Sequence, residues 1–300
     1  MKRLAMTFLL ILAALASTAD SARFYMENDF PFDEDEDYTN GARLEYQHGR
    51  YSFFIEQLMY SPEDITVPYQ EGDHPYAGYL GVGGSVSLDD RITDRLFHLN
   101  YLELQTGTTG PASGAEGMQK AIHKIIGAHR PQGWDDQLKN KWQVQGLLLT
   151  GYEYVLWGRA DKWNVRVSDQ LGAYLGTMQI AAENKAFIKI GWGNDHDRHY
   201  SNIEVRDSRK SRLLARNPNT FYILLGNETK WWDKNIFLDG NNHHHSPSVQ
   251  KEIWTTGVKA GLVVEVAMVD FGLYFYRGSM EYKTQEHAPK YVSFQMGCRF

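Results

Sequence analysis

The sequence predicts an all-β fold, namely a transmembrane antiparallel up-and-down β-barrel of about twelve strands with a short helix in an extracellular loop. Three observations favour this fold: alternating hydrophobicity, a chain that ends on an aromatic strand, and aromatic residues near strand ends. In residues 186–192 and 258–266, apolar side chains alternate with polar or small ones, as in strands with one apolar and one mixed face. A soluble periplasmic β-sandwich would alternate in the same way, so the other two observations decide.

The chain ends on a segment, residues 291–300, in which every second residue back from Phe300 is apolar or small. A final strand with a C-terminal Phe resembles the assembly signal of outer-membrane barrels. Cys298 lies on this apolar face, where we expect a small lipid-facing side chain. Interfacial girdles would explain the tryptophans near predicted strand ends, which are Trp142, Trp157, Trp163, Trp231, Trp232 and Trp254.

Residues 1–19 have the pattern of a cleaved signal peptide, with Lys2 and Arg3 before an apolar run over 4–15 and small residues after it. The apolar run is too short to span a membrane comfortably. Residues 20–300 would then form a single outer-membrane barrel enzyme domain. The single cysteine excludes an internal disulfide, and the net charge of −6 argues against nucleic-acid binding.

We predict strands at 22–29, 39–48, 51–60, 76–88, 95–107, 142–156, 163–176, 185–193, 218–230, 251–265, 268–282 and 289–300. If both termini are periplasmic, the loops at 30–38, 61–75, 108–141, 177–184, 231–250 and 283–288 face outside. Residues 194–217 are long and polar but fall on the periplasmic side, so either a strand is miscounted or this is an unusually long turn.

A helix is predicted over about residues 114–126, with Ser113 as N-cap, Glu116 completing a capping box and Gly127 as the stop. Gln119 and His123 are four residues apart, so they lie on one side of the helix. Beside them runs an apolar stripe of Met118, Ile122, Ile125 and Ile126, which would cover acyl chains or pack on the barrel. A surface helix with a solvated histidine would show the same pattern.

The first loop contains an acidic run, residues 33–37, that has the wrong residues for an EF-hand and is expected to be solvated. Asn28 and Asp29 are different, because they lie at the end of strand one, beside Thr39 at the start of strand two. Oxygen ligands on a rigid strand end suit Ca²⁺. The three histidines at 243–245 are interpreted as incidental.

Several short motifs, taken in order, resemble the outer-membrane lipid A 3′-O-deacylase family. They are Glu27-Asn28-Asp29, Tyr38-Thr39-Asn40-Gly41, Asp73-His74-Pro75-Tyr76-Ala77-Gly78, Gly110-Pro111-Ala112-Ser113-Gly114, Gln119 with His123, Gly133-Trp134 with Gln137, and Asn235-Ile236-Phe237-Leu238-Asp239-Gly240-Asn241. The resemblance implies a twelve-stranded barrel and a Ca²⁺-dependent esterase that removes the 3′-linked acyloxyacyl group of lipid A. It places the site between the barrel wall and a loop helix, with functional residues at Asn28, Asp29, Thr39, Gln119 and His123.

The implied chemistry assigns His123 as the general base that activates a water. Gln119 would orient His123 or the water, and Thr39 would form a hydrogen bond in the same pocket. Ca²⁺ held near Asp29 and Asn28 would stabilise the developing oxyanion. An acyl-enzyme through Ser113 is the rival mechanism, but no Gly-x-Ser-x-Gly elbow surrounds that serine. Family members commonly have Arg where this chain has His74, so we expect only a weak substrate contact from Asp73 and His74.

The expected partners are lipid A or lipopolysaccharide and the outer-membrane bilayer of a Gram-negative bacterium. We expect a monomer with its active site facing outside. The alternative is a non-enzymatic barrel on the same scaffold, either a narrow channel or a surface-binding protein. A simple channel needs no loop helix that carries Gln119 and His123, so this pair favours the enzyme.

Overall fold

The computed structural model describes residues 21–29, 37–159, 162–193, 197–200, 205–208, 219–241 and 246–299. The predicted signal peptide, Phe300, the histidines at 243–245 and most of the acidic run lie outside the described residues. In the described part of the chain, no helix combines the length and the apolar character that a membrane crossing requires.

Twelve long strands of the described residues form one closed antiparallel barrel, in which each strand pairs with its neighbours. The strands are β1 Ser21–Asn28, β2 Asp37–His48, β3 Tyr51–Ser61, β4 Ala77–Ser87, β5 Asp90–Arg91, β6 Leu96–Thr109, β7 Lys141–Gly158, β8 Trp163–Gly176, β9 Gln179–Trp192, β10 Asp197–Tyr200, β11 Val205–Ser208, β12 Thr220–Asn235, β13 Trp254–Val266, β14 Val269–Gly278 and β15 Lys290–Arg299. The short β5 only extends the edge of β6, and β10 and β11 form a separate hairpin. The helices are α1 Ala115–Ile126 and α2 Ile236–Asp239, with 3₁₀ turns at Pro111–Ser113 and Trp134–Asp136.

All twelve predicted strands are present, so the predicted fold class is confirmed. The predicted loop at 177–184 is wrong, because β9 begins at Gln179 after a tight turn. In the first half of β9, the inward positions are occupied by the charged residues Glu183 and Lys185, which form an ion pair in the interior. The sequence there does not alternate between apolar and polar residues as a typical strand does. No barrel strand is missing between β9 and β12, because these two strands pair directly. Residues 194–217 therefore join two neighbouring strands, and the structure describes only β10 and β11 of them, which pair antiparallel.

The two faces of the wall have opposite character, as a membrane barrel requires. Large apolar side chains such as Phe53, Leu104 and Ile223 are half exposed on the outward face. Trp142 and Trp254 lie exposed at one end of their strands, and Trp157 and Trp163 at the other, as two girdles would. The prediction for Trp232 is wrong, because this side chain faces the interior and donates to Thr255 Oγ1 (2.9 Å).

Ion pairs fill the barrel interior. The buried Arg43 guanidinium contacts the carboxylates of Glu45 (2.7 Å), Glu56 (3.3 Å) and Glu103 (3.0 Å). Farther round the barrel, Glu153 pairs with Arg166 (2.7 Å) and Lys189 (2.8 Å). Removing one partner of such a buried pair typically costs about 3–5 kcal/mol, because the other charge stays buried. The first network links strands β2, β3 and β6, and the second links β7, β8 and β9, so each ties neighbouring parts of the wall together.

Long connections cap one end of the barrel, which we call the loop end; they are residues 62–76, 110–140, 236–253 and 279–289. The opposite end carries the tight turns at 49–50 and 267–268 and is called the turn end. Loops at the loop end contact one another, as when Asn241 Nδ2 donates to the Lys139 carbonyl (2.6 Å). The loop after β12 therefore lies at the same end as α1, as predicted for the loops at 108–141 and 231–250. The antiparallel pairing of β12 with β13 is confirmed as well.

Aromatic rings close the mouth of the barrel at the loop end. The Tyr60 ring stacks on Phe237 of α2 (4.3 Å between centroids) and on His74 (5.3 Å). Phe237 and His74 are completely buried, and Tyr282 meets the His74 ring edge-on at 5.9 Å. Such packing is that of a plugged interior and not of an open pore.

We therefore predict that the folded protein gives no steady single-channel conductance in a planar lipid bilayer. Among the described residues, aromatic rings pack together at the mouth and ion pairs lie in the interior, along the path that ions would have to follow. A stable open step of conductance from purified, heat-modifiable protein would contradict this prediction and favour the channel hypothesis.

Candidate functional site

Helix α1 is held between two glycines in the left-handed region. Gly114 (φ 71°) is the N-cap, and Gly127 (φ 76°) is the C-cap, whose N–H bonds the His123 carbonyl. The stop at Gly127 is as predicted, but the N-cap prediction is wrong: Ser113 ends the preceding 3₁₀ turn and is buried. Glu116 makes no capping box and instead pairs with Lys120 (2.5 Å), one turn along the helix.

The helix packs by its polar edge. Its buried side chains are Ala115, Gln119 and His123, with exposed fractions of 1%, 2% and 5%. The apolar stripe does not pack on the barrel, because all four of its members, Met118, Ile122, Ile125 and Ile126, are exposed. The polar pair is therefore a built feature of the protein and not a solvated surface pair.

The wall beneath the helix is the outward face of β3 and β4, whereas a site shared with Asn28 and Thr39 predicts that the helix packs over β1 and β2. Gly78 of β4 makes the contact possible, since a Cβ there would lie 2.1 Å from Ser113 Oγ and 2.4 Å from Ala115 Cβ. On β3, Gln57 Nε2 donates to the Ser113 carbonyl (2.8 Å). Met59 is buried against Ala115 in the same contact.

Gln119 links the helix to both of its supports. Its Nε2 donates to Ser61 Oγ at the end of β3 (2.9 Å), and its Oε1 accepts from Trp134 Nε1 (2.6 Å). Trp134 is itself buried and packs on Tyr76 at a centroid distance of 4.8 Å. The amide is therefore fixed between the barrel wall and the returning loop.

His123 lies one turn beyond Gln119 on the same buried edge. Its Nδ1 is 2.5 Å from the His129 carbonyl oxygen, and only a protonated nitrogen can donate to a carbonyl. In the neutral ring this fixes the tautomer, so Nε2 is the unprotonated nitrogen. The loop backbone thus prepares Nε2 as a proton acceptor.

The strand register places Asn28, one of the two predicted metal residues, on the same row as the helix contact. Asn28 pairs with Asn40, Asn40 with Met59, and Met59 with Gly78, so these four residues share the outward face. Asn28 is then two strand spacings, roughly 10 Å, from the Met59 position beneath α1. The helix contacts β4 through Ala115 and β3 through Gln119, so its next turn carries His123 toward β2.

Asp29 and Thr39 continue the β1–β2 register by one step and lie at adjacent strand ends. Both are 2% exposed, and Asn28 Nδ2 donates to the Thr39 carbonyl (3.0 Å). Thr39 occupies a β-bulge, and its buried Oγ1 has no hydrogen-bond partner among the described residues. The structure therefore brings Asn28, Asp29 and Thr39 together, with β3 between them and Gln119.

Asp73 and His74 lie in the packing of the loops. Asp73 Oδ1 accepts from the His74 N–H (2.6 Å) and from the Tyr282 hydroxyl (3.3 Å). His74 is completely buried, and burial lowers its pKa to about 4. The ring is therefore neutral at pH 7 and joins the aromatic plug. In this arrangement it presents no positive charge to a phosphate.

Sequence reasoning missed Ser61, Trp134 and Gly78, which together position α1. Trp134 and Gly78 lie inside quoted motifs, so the signal was present but gave no role. A serine at a strand end gives no signal of its own. The described residues contain one further group of potential metal ligands, Glu63, Glu286 and His287, but two of these are exposed and such groups are common without a metal.

Comparison with known proteins identifies relatives of the chain. A family model described as "Outer membrane protein LpxR" matches residues 4–300. No curated protein matches the chain.

Among solved structures, LpxR from Salmonella typhimurium is similar with a TM-score of 0.76 at 21% sequence identity, covering 93% of this chain and all of that one. The β domain of the Bordetella autotransporter BrkA has a TM-score of 0.46 at 8% identity, covering 94% of this chain and all of that one.

We predict that Gly78→Val separates α1 from the wall while the barrel still folds. The new Cβ would collide with Ser113 and Ala115, and relief requires the helix to move. Trypsin should then cleave the detergent-folded variant after Lys120 and Lys124 several-fold faster than the wild type. Gly117→Ala is the matched control, because a Cβ at that helix position meets nothing within 4 Å. Equal cleavage rates in Gly78→Val and wild type would refute the proposed contact.

Proposed function

The chain belongs to the LpxR outer membrane protein family, and on this premise we propose that it is a lipid A 3′-O-deacylase. The supporting observation is the buried Gln119–His123 edge of α1, which the wall and the loop hold in a fixed tautomer and orientation. Solvated surface histidines have no such support. The site chemistry is that of a hydrolase with a positioned general base.

The location of the site fits a lipid substrate. Asn28, Asn40 and the α1 contact lie on the outward face of the barrel, near the loop end and not inside the lumen. A substrate that reaches them must approach along the outside of the wall, which is where membrane lipids are. We propose that the loop end faces the cell exterior, so that the lipid A of the outer leaflet is the substrate.

In this mechanism His123 Nε2 takes the proton from a water as the water attacks the ester carbonyl carbon. The proton then passes from His123 to the leaving sugar oxygen as the C–O bond breaks. The His129 carbonyl stabilises the imidazolium that forms between the two steps, because Nδ1–H still donates to it. Gln119 is a positioning residue, since both ends of its amide are already engaged.

The residues at the ends of β1 and β2 fit a calcium ion. The Asp29 carboxylate, the Asn28 amide oxygen and the Thr39 hydroxyl are oxygen ligands, which Ca²⁺ prefers. The buried Thr39 Oγ1, without a partner among the described residues, fits such a role. A bound Ca²⁺ would supply charge stabilisation for the oxyanion that develops on the ester.

A covalent route through Ser113 has less support. Ser113 is 1% exposed, lies against Gly78, and has its Oγ directed to the Ala115 N–H (3.4 Å). Reaching a substrate would require this turn to leave the wall. Direct attack by water requires no such movement, because Gln119 and His123 are already held in position.

We predict that His123→Ala lowers the rate of deacylation by about 10²–10⁴, as expected when a general base is lost. The assay is mass spectrometry of lipid A after incubation with purified, detergent-folded protein, following release of the 3′-acyloxyacyl group. His129→Ala is the matched control, because the His129 side chain is exposed and the bond to His123 is made by the His129 backbone carbonyl, which the substitution keeps. Ser113→Ala should keep its activity. Near-normal activity in His123→Ala, or a dead Ser113→Ala, would rule out the water mechanism.

We predict that Asp29→Ala and EDTA abolish activity equally, without unfolding the barrel. Loss of the carboxylate removes the strongest oxygen ligand of the proposed calcium site. Added Ca²⁺ should restore the EDTA-treated wild type but not Asp29→Ala, with gel mobility before and after heating as the folding check. An EDTA-treated wild type that remains fully active would show that the reaction needs no Ca²⁺.

A further inference from the structure

The apolar stripe of α1 forms a continuous exposed surface, which we call the apolar flank. Met118, Ile122, Ile125 and Ile126 are exposed by 47%, 38%, 83% and 49%. Four large apolar side chains on one side of a twelve-residue helix are unfavourable in water. We therefore expect another apolar surface to cover this flank, and the barrel wall does not cover it.

The flank has a definite direction relative to the wall. At about 100° per residue, the apolar flank is centred roughly 75° from the buried edge formed by Ala115, Gln119 and His123. Charged residues lie on the opposite side of that edge, where Glu116 pairs with Lys120 and Lys124 is exposed. The helix is thus amphipathic along an axis that runs roughly parallel to the wall surface.

The barrel supplies an apolar surface directly beside the helix. Met59 is covered by α1, but Ile55, four residues nearer the turn end on the same strand face, is 45% exposed. Its cross-strand partner Val82 is 55% exposed. Four strand residues span roughly 13 Å, about the diameter of a helix with its side chains. The side of α1 that faces the turn end therefore adjoins the lipid-facing band.

We propose that α1 lies in the membrane interface, with its apolar flank against the acyl chains of the surrounding lipid leaflet. The charged side, with Lys120 and Lys124, lies at the level of the headgroups, where anionic lipid favours it. The apolar flank continues the lipid-facing band that begins at Ile55 and Val82. A second protein copy or bulk water are the other possible neighbours of this flank.

The arrangement has a consequence for substrate access, which rests on the proposed function. The buried edge with Gln119 and His123 lies between the apolar flank and the charged side of the helix. A lipid with its acyl chains along the flank and its headgroup at the charged side would therefore present its sugar-linked esters at the level of His123. The flank would select for long acyl chains anchored in the leaflet.

The chain has a single cysteine, Cys298, so replacing it leaves a background in which one new cysteine can be labelled specifically. In a Cys298→Ala background, Ile125→Cys and Lys124→Cys each receive a nitroxide spin label. These adjacent residues are both exposed but lie on different sides of the helix. The full barrel is reconstituted in phosphatidylethanolamine–phosphatidylglycerol vesicles, and collision with oxygen is compared with collision with a water-soluble nickel chelate.

The proposal expects the oxygen-to-nickel collision ratio to be several-fold higher at position 125 than at 124. High nickel collision at both positions would place the flank in water and overturn it. Low collision with both reagents at 125 would mean that protein covers the flank, and would also overturn it. Met118→Cys and Lys120→Cys form a second pair if either first variant fails to fold. Because no turnover is measured, the result is independent of whether the protein is a deacylase.

Discussion

Closure of the backbone hydrogen-bond network is the constraint on which the structure depends. In hydrocarbon each unpaired N–H or C=O costs several kcal/mol, so a sheet in a membrane must have no open edge. Pairing of β1 with β15 and of β4 with β6 removes both edges. Each of the twelve barrel strands then has one face to lipid and one to a closed interior. Arg43 and Arg166 can be buried in that interior because carboxylates of nearby strands pair with them there.

The candidate site lies where this simple division ends. On β3, the outward face changes from the exposed Ile55 to Met59, which is buried beneath α1. The change is possible because Gly78, on the neighbouring strand, lets Ser113 and Ala115 approach the backbone. Polar side chains such as Gln119 can then face the wall, because the wall offers Ser61 as a partner. The site is thus built from the rim of the lipid-facing surface and not from the lumen.

The sequence predicted most of the fold, because residue alternation is a local consequence of the barrel and needs no knowledge of distant contacts. It also located α1, since Gly127 and the spacing of Gln119 and His123 are local signals. It could not orient the helix, because an apolar stripe can either pack on the barrel or cover acyl chains, and the sequence pattern is the same in both cases. It misassigned Trp232 and the start of β9 for a related reason, because a polar lumen makes inward positions resemble loops. The partner of Gln119 on β3 is 58 residues away in sequence, so no local pattern could reveal it.

A single extra residue explains how the two halves of the site can share one face. Tyr38 pairs with Tyr60 in the lumen, where its hydroxyl donates to Glu27 (2.8 Å). Without a bulge, alternation would put Asn40 in the lumen as well. The bulge at Thr39 shifts the register, so Asn40 pairs with Met59 on the outward face and donates to the Glu27 carbonyl (2.9 Å). The irregular residue therefore keeps a buried tyrosine–glutamate contact inside, while it places Asn40 on the outward face in the row that runs from Asn28 to the helix contact. Bulges commonly redirect side chains next to active sites. Here the bulge is at Thr39, which is one of the candidate site residues.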